Sequence, residues 1–175
     1  MKDSKIRLLV FSSMFAALCC VTTMTIRVPT FGTNGYVNIG DTVVLLAAWL
    51  IGGVNGALAA GIGSGMSDLL SGYTHYVPGT FVIKFLVALI AYSVYRMLSE
   101  KKAPKVLSYA AGAVAAEAVM IAGYFTYQFT ILGYGVAAAS SIPGNCVQGV
   151  TCSVLALAVI GALNAAKVTQ RMAVG

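Results

Sequence analysis

The sequence predicts an all-α protein, a bundle of six transmembrane helices, and three observations carry that prediction. The chain is 59% hydrophobic and only 9% charged, with a mean hydropathy of +0.88, whereas a soluble domain carries about 25% charge. Four apolar stretches each meet or approach the ~20 residues needed to cross ~30 Å of hydrocarbon. Lysine and arginine gather at the ends of these stretches, where they act as topology signals. The 175 residues, taken as one domain (1–175), leave room for six short spans and little else. The net charge of +6 therefore marks membrane topology and not a nucleic-acid partner.

The four clear spans run roughly from Ile6 to Ile26, Thr80 to Leu98, Val106 to Thr130 and Ile142 to Ala166. Lys2, Lys5 and Arg7 before the first span resemble a signal-peptide start. No small-residue cleavage site leads into a soluble domain, so an uncleaved first span is the better reading. The stretch from Asp41 to Asp68 reads either as one long helix or as two short ones broken at Ile51-Gly52-Gly53-Val54-Asn55-Gly56.

Basic charge decides between these two. Nine basic residues occupy three places: the N-terminus, the Arg96–Lys105 loop (Arg96, Lys101, Lys102, Lys105) and the C-terminus (Lys167, Arg171). A turn at Gly52-Gly53 gives six spans and puts all three places on one side, leaving Arg27 on the other. The positive-inside rule then places both termini in the cytoplasm. The second and third spans must be short, because 31 residues of helix measure ~46 Å at 1.5 Å per residue. The three outer connections, Val28–Gly40, Gly72–Gly79 and Leu132–Ser141, are rich in Gly, Tyr, Ser and Asn, as turns are. Their tyrosines also suit a membrane-interface belt.

Two charges fall inside spans, Lys84 in TFVIKFLVALIAY and Glu117 in GAVAAEAVMIAGY. A charge near the bilayer centre costs at least ~2.5–3.5 kcal/mol and usually faces a partner, a cavity or a ligand. Glu117, Tyr124 and Gln128 are spaced to share one helical face, and Asn145 and Gln148 share another, with Cys152 following. Lys84, Tyr124, Gln128, Asn145 and Gln148 fall in the outer half, with Glu117 nearer the middle. Rise arithmetic brings Lys84 and Glu117 within roughly 6 Å in depth, so the two are able to pair. A buried pair that only joins helices is one reading. Interhelical polar contacts average about 0.6 kcal/mol, which offsets burial poorly, so an outward-facing ligand pocket is preferred. Tyrosines from the outer loops, Tyr36 and Tyr76, with Asn38 beside them, would close such a pocket and stack on a heteroaromatic ring.

Small residues form a second constellation. Ser12, Ala16 and Cys20 repeat every four residues on the first span with Ser13 and Ala17 beside them, and Ala57, Gly61 and Gly65 do the same on the third. Such faces let helices approach closely, within the bundle or against another membrane subunit. Asp41 suits an N-cap, Asp68 lies near the outer end of the third span, and His75 reads as a solvated loop residue. Cys19, Cys20, Cys146 and Cys152 show no metal or disulfide spacing and read as small apolar helix residues. No phosphate loop and no metalloprotease or nucleophile-elbow motif occurs in the sequence. The chain thus lacks an ATPase motif of its own, and neither cofactor nor metal is expected. A small intramembrane enzyme using Glu117 as general acid or base is the alternative, disfavoured by the missing nucleophile or metal set.

The stretch from Asn38-Ile39-Gly40-Asp41 through Gly63-x-Gly65-x-x-Asp68-Leu69-Leu70-Ser71-Gly72 to Tyr76-x-Pro78-Gly79-Thr80-Phe81-x-Ile83-Lys84 resembles the substrate-binding S components of energy-coupling-factor (ECF) vitamin transporters. The similarity is greatest to the riboflavin-like, pyridoxine and hydroxymethylpyrimidine branch. The resemblance implies a six-helix S-component bundle in a bacterial or archaeal plasma membrane, with the first loop as a lid over an outward-facing pocket. It implies a vitamin-like substrate such as pyridoxine, hydroxymethylpyrimidine, a queuosine precursor or riboflavin. It also implies partners: a membrane-embedded coupling subunit, contacted by Ser12, Ser13, Ala16, Ala17 and Cys20 of the first span, and two cytoplasmic ATPases.

Overall fold

The computed structural model describes residues 2–29 and 35–167. Helices α1 (Lys2–Thr25), α2 (Asp41–Leu50), α3 (Gly53–Leu70), α4 (Val77–Glu100), α5 (Lys105–Thr126) and α6 (Ile142–Ala165) account for most of the described chain. Between α1 and α2 lies a two-stranded antiparallel ribbon not expected from the sequence, β1 (Arg27–Pro29) and β2 (Tyr36–Asn38), with Val28 opposite Val37. A π-helical turn, Tyr127–Ile131, ends α5, and a 3₁₀ segment, Gly135–Ser141, leads into α6.

The break inside the Asp41–Asp68 stretch falls where the glycines stand. Gly52 has φ +76° and ψ 172°, a conformation essentially confined to glycine, and α3 starts at the next residue. A side chain there would also strike the Tyr92 ring at 2.7 Å. Four helical stretches, beginning at Ser4, Val77, Lys105 and Gly135, are long and apolar enough to cross a membrane. By contrast α2 has 10 residues, about 15 Å of helix, and α3 has 18, about 27 Å. The two helices in the stretch expected to hold the second and third spans are both short, α2 more than α3.

Helix α2 is internal as well as short. Val44, Leu45, Ala47 and Ala48 are buried, and Trp49 packs on Tyr109 of α5 with ring centroids 5.0 Å apart. A helix apolar all round is a core element. The remaining helices surround it, and close backbone approaches make that compact. A Cβ on Gly63 of α3 would lie 2.2 Å from the Ala16 carbonyl oxygen of α1. One on Gly61 would lie 2.8 Å from the Phe81 carbonyl oxygen of α4. The small-residue faces are thus partly consumed inside the bundle: Ser12, Ala16 and Cys20 are half-buried, while Ser13 and Ala17 are exposed.

Proline marks the first turn of both α4 and α6, where its missing N–H is harmless. Helix α4 therefore starts at Val77, three residues before the expected span. The four cysteines are free, as expected of helix residues.

Candidate functional site

The C-terminal ends of α1, α3 and α5 and the N-terminal ends of α2, α4 and α6 meet beneath the β1–β2 ribbon. There they line a cavity of about 30 Å³. Its wall includes Tyr36 and Asn38 from the ribbon, Tyr76 and Lys84 from the α4 side, and Tyr124 and Gln128 from the end of α5. Asn145 and Gln148 close it from α6. Eight of the nine expected binding residues thus converge. Their spacing on α5 and α6 and their position at one end of the bundle are the reasons. Thr23, Asp68, Thr80 and Ser141 also line the wall, and the sequence reading placed none of them in the pocket. Asp68 was noticed as lying near a helix end. Its place within the glycine-rich G-x-G-x-x-D run was the available signal.

The polar groups form two layers. In the inner layer Lys84 Nζ lies 2.5 Å from Asp41 Oδ1, and both side chains are buried. Gln148 Nε2 donates to the second Asp41 oxygen at 2.5 Å, while its Oε1 accepts from the Asn38 backbone N–H at 2.6 Å. The ammonium also sits 5.2 Å from the Tyr124 ring centroid, a favourable cation–π distance. This corrects two expectations. Lys84 pairs with Asp41 instead of Glu117, and Asp41 is not an N-cap. Gly40 occupies the cap position, without a side-chain bond, and Asp41 starts the helix with its carboxylate turned inward. Helical periodicity gives depth and face within one helix but no register between helices, so the partner of Lys84 was not readable.

The outer layer joins ribbon and helix ends. Tyr36 Oη donates to Asp68 Oδ1 at 2.6 Å, and its ring packs on Tyr73 at 4.8 Å. Burial first, then the Asp68 charge, push the Tyr36 phenol above its ordinary range, so it keeps the proton it donates. Asn38 Oδ1 accepts from the Gly40 N–H at 2.7 Å, an Asx-type turn that fixes the ribbon's root. Gln128, placed by the π-helical turn, accepts from Ser141 Oγ at 2.7 Å and donates to Tyr76 Oη at 3.2 Å. Such π turns recur at functional sites. His75 is exposed, as expected, and its backbone carbonyl accepts from Tyr127 Oη at 2.7 Å.

Glu117 stands apart from this arrangement. It is 5% exposed, and neither carboxylate oxygen has a hydrogen-bond partner. It does not line the cavity. It borders an apolar groove between α5 and α6, against Gly149, whose Cβ position lies 3.1 Å from Glu117 Cβ. The expected polar stripe on α5 is therefore split, with Tyr124 and Gln128 facing the cavity and Glu117 lying outside its wall.

The bundle thus gathers amides, an ammonium and phenols around one cavity beneath the β1–β2 ribbon. The chain belongs to the S components of ECF-type riboflavin transporters: that family's model matches residues 3–165. It is thus a membrane-embedded, substrate-binding subunit of a vitamin transporter and not an enzyme, in a family whose members work with a transmembrane subunit and ATPase subunits. An uncharacterized protein from the gap 3′ region of Pyrococcus woesei is 33% identical over 119 residues, covering 68% of this chain and 76% of that protein. The S component of a bacterial ECF transporter, known from a study of its structure and mechanism, has the same fold. Its TM-score is 0.72 at 23% identity, covering 91% of this chain and 96% of that one.

Proposed function

We propose that this chain captures a small heteroaromatic vitamin or vitamin precursor, of the pyridoxine or hydroxymethylpyrimidine class, in the cavity beneath the β1–β2 ribbon. The observation that carries this reading is the convergence of Lys84, Tyr124, Gln128, Asn145 and Gln148 with Tyr36, Asn38 and Tyr76 on one cavity. Small-ligand sites combine aromatic walls with a few placed polar groups in the same way. Glu117 is left out of the set because it borders a different surface.

Ligand pockets usually measure about 300–1,000 Å³, far above the 30 Å³ enclosed here. Binding then requires the ribbon to lift. Single-ring solutes need the smallest opening, a deazaguanine precursor of queuosine more, and riboflavin the most. In this reading both termini are cytoplasmic, six spans cross the membrane, and the cavity opens to the outside. A membrane-embedded coupling subunit docks on Ser13 and Ala17, with the half-buried Ser12, Ala16 and Cys20 beside them, and two cytoplasmic ATPases supply the energy.

Calorimetric titration of the purified protein with pyridoxine, hydroxymethylpyrimidine, queuine and riboflavin tests the reading. Saturable binding of one of these, with the compound recovered chemically unchanged, is expected. Absence of saturable binding to all four would overturn it.

A further inference from the structure

Of the residues that line the cavity, Lys84 is the cation and Asp68 the carboxylate. Lys84 is already neutralised by Asp41, whose second oxygen is occupied by Gln148. Asp68 is not so matched. It is 3% exposed, and no lysine or arginine lies within ion-pair distance among the described residues. Its partners are neutral hydroxyls, Tyr36 from the ribbon and Thr80 from α4. A buried carboxylate held only by hydroxyls remains poorly compensated, because buried charges are ordinarily paired. The cavity wall therefore carries one carboxylate with no ion-pair partner among the described residues, on which Lys84 and His75 act only from beyond contact distance.

The Tyr36 contact is also the removable one. Asn38, two residues on, is tied to the bundle through its backbone N–H to Gln148 and through its carbonyl to Cys152, 3.6 Å away. Tyr36 holds Asp68 by a single hydroxyl. The ribbon can thus pivot at Asn38 with loss of one strong hydrogen bond and the Tyr36–Tyr73 ring contact, and the outward swing of the phenol enlarges the cavity.

We infer that Asp68 is the specificity-determining group of the cavity, that Tyr36 holds its place between solutes, and that the solute is a nitrogen heterocycle presenting amino or protonated ring N–H donors to it. This deepens the proposed function and rests on the cavity being the solute site. A charge-assisted N–H···carboxylate bond is about twice as strong as a neutral one, so such a solute displaces the phenol. Phosphorylated or carboxylate-bearing solutes meet an unmatched negative charge and are rejected.

The test is a matched pair of probes titrated into the purified chain in detergent: 4-amino-5-hydroxymethyl-2-methylpyrimidine and its 4-methyl counterpart, which has no N–H donor. The parent is expected to prefer the amino compound by roughly 10–100-fold, the worth of a hydrogen bond to a charged group. Asp68→Asn is expected to abolish that preference. Tyr36→Phe, which leaves Asp68 in place without its latch, is expected to bind the amino compound more tightly than the parent. Equal binding of both probes by the parent, or an undiminished preference in Asp68→Asn, overturns the role of Asp68 while leaving the cavity as the solute site. If the parent binds neither probe but binds riboflavin or pyridoxal phosphate, the donor class is wrong and the site reading survives. No binding of any of them brings down both.

Discussion

Lys84 and Asp41, 43 residues apart in sequence, form a buried ion pair at the centre of the bundle, with Gln148 on the second carboxylate oxygen. The pair fixes α2 against α4 and α6 directly under the cavity. Removing one partner leaves the other charge buried and uncompensated, at a cost of about 3–5 kcal/mol. Lys84→Met is therefore expected to lower the thermal unfolding midpoint in detergent sharply. The double variant Lys84→Met/Asp41→Asn should recover part of the loss. A double variant at least as unstable as the sum of the singles would show that the pair does not act as a unit.

Glu117 behaves oppositely, because among the described residues no hydrogen bond or ion pair holds it. Glu117→Gln replaces a buried carboxyl that has no hydrogen-bond partner with an uncharged amide of the same shape, so no bond is lost and no group is left unpaired by the change. Its unfolding midpoint should match or exceed the parent's, with solute affinity unchanged within about twofold, or ~0.4 kcal/mol. A tenfold loss of affinity in calorimetry would return Glu117 to the binding site.

The two sides of α1 should separate packing from coupling. Gly63→Ala drives a Cβ into the Ala16 carbonyl oxygen and is expected to destabilise the α1–α3 contact by about 1–3 kcal/mol, the usual cost of overpacking. Ser13→Leu and Ala17→Leu alter exposed positions, so folding and solute binding should persist. Uptake by cells carrying the whole transporter should fall strongly in these two. Unchanged uptake would remove that face from the coupling surface.

Topology is checkable without any ligand. With six crossings, a fluorescent-protein fusion after Ala165 glows in the cytoplasm, and a cysteine placed at Lys101 is closed to an external impermeant maleimide. External labelling at Lys101 would refute the arrangement. The opposite outcome agrees with the nine basic residues gathered in the terminal regions and the Arg96–Lys105 loop.

Much of this was readable from the chain, for physical reasons. Apolar length and glycine placement located the helices, since both act within a single segment: Gly52-Gly53 broke α2 from α3 as expected. Polar residues inside spans located the cavity, because lipid leaves them few other places. Three features were not readable. The β1–β2 ribbon comprises two three-residue strands, too short for any alternation to show. The Lys84–Asp41 pairing depends on the rotation of α4 against α2, which neither helix specifies alone. Asp68 near a helix end looked like many acidic residues that face water, and only the Tyr36 side chain arriving from the ribbon makes it part of a wall. Glu117 falls outside the cavity wall for a related reason: its spacing from Tyr124 matches a common face, but it borders the groove between α5 and α6 instead.

The central claim is that the wall beneath the ribbon holds the solute, and Asn145 tests it most directly, being 6% exposed and part of that wall. Parent and Asn145→Leu proteins would be purified from cells grown with pyridoxine, hydroxymethylpyrimidine, queuine and riboflavin, then compared by native mass spectrometry. The parent should carry one small molecule per chain and the variant none, with both folded. An empty parent, or an adduct that persists in Asn145→Leu, would contradict the claim.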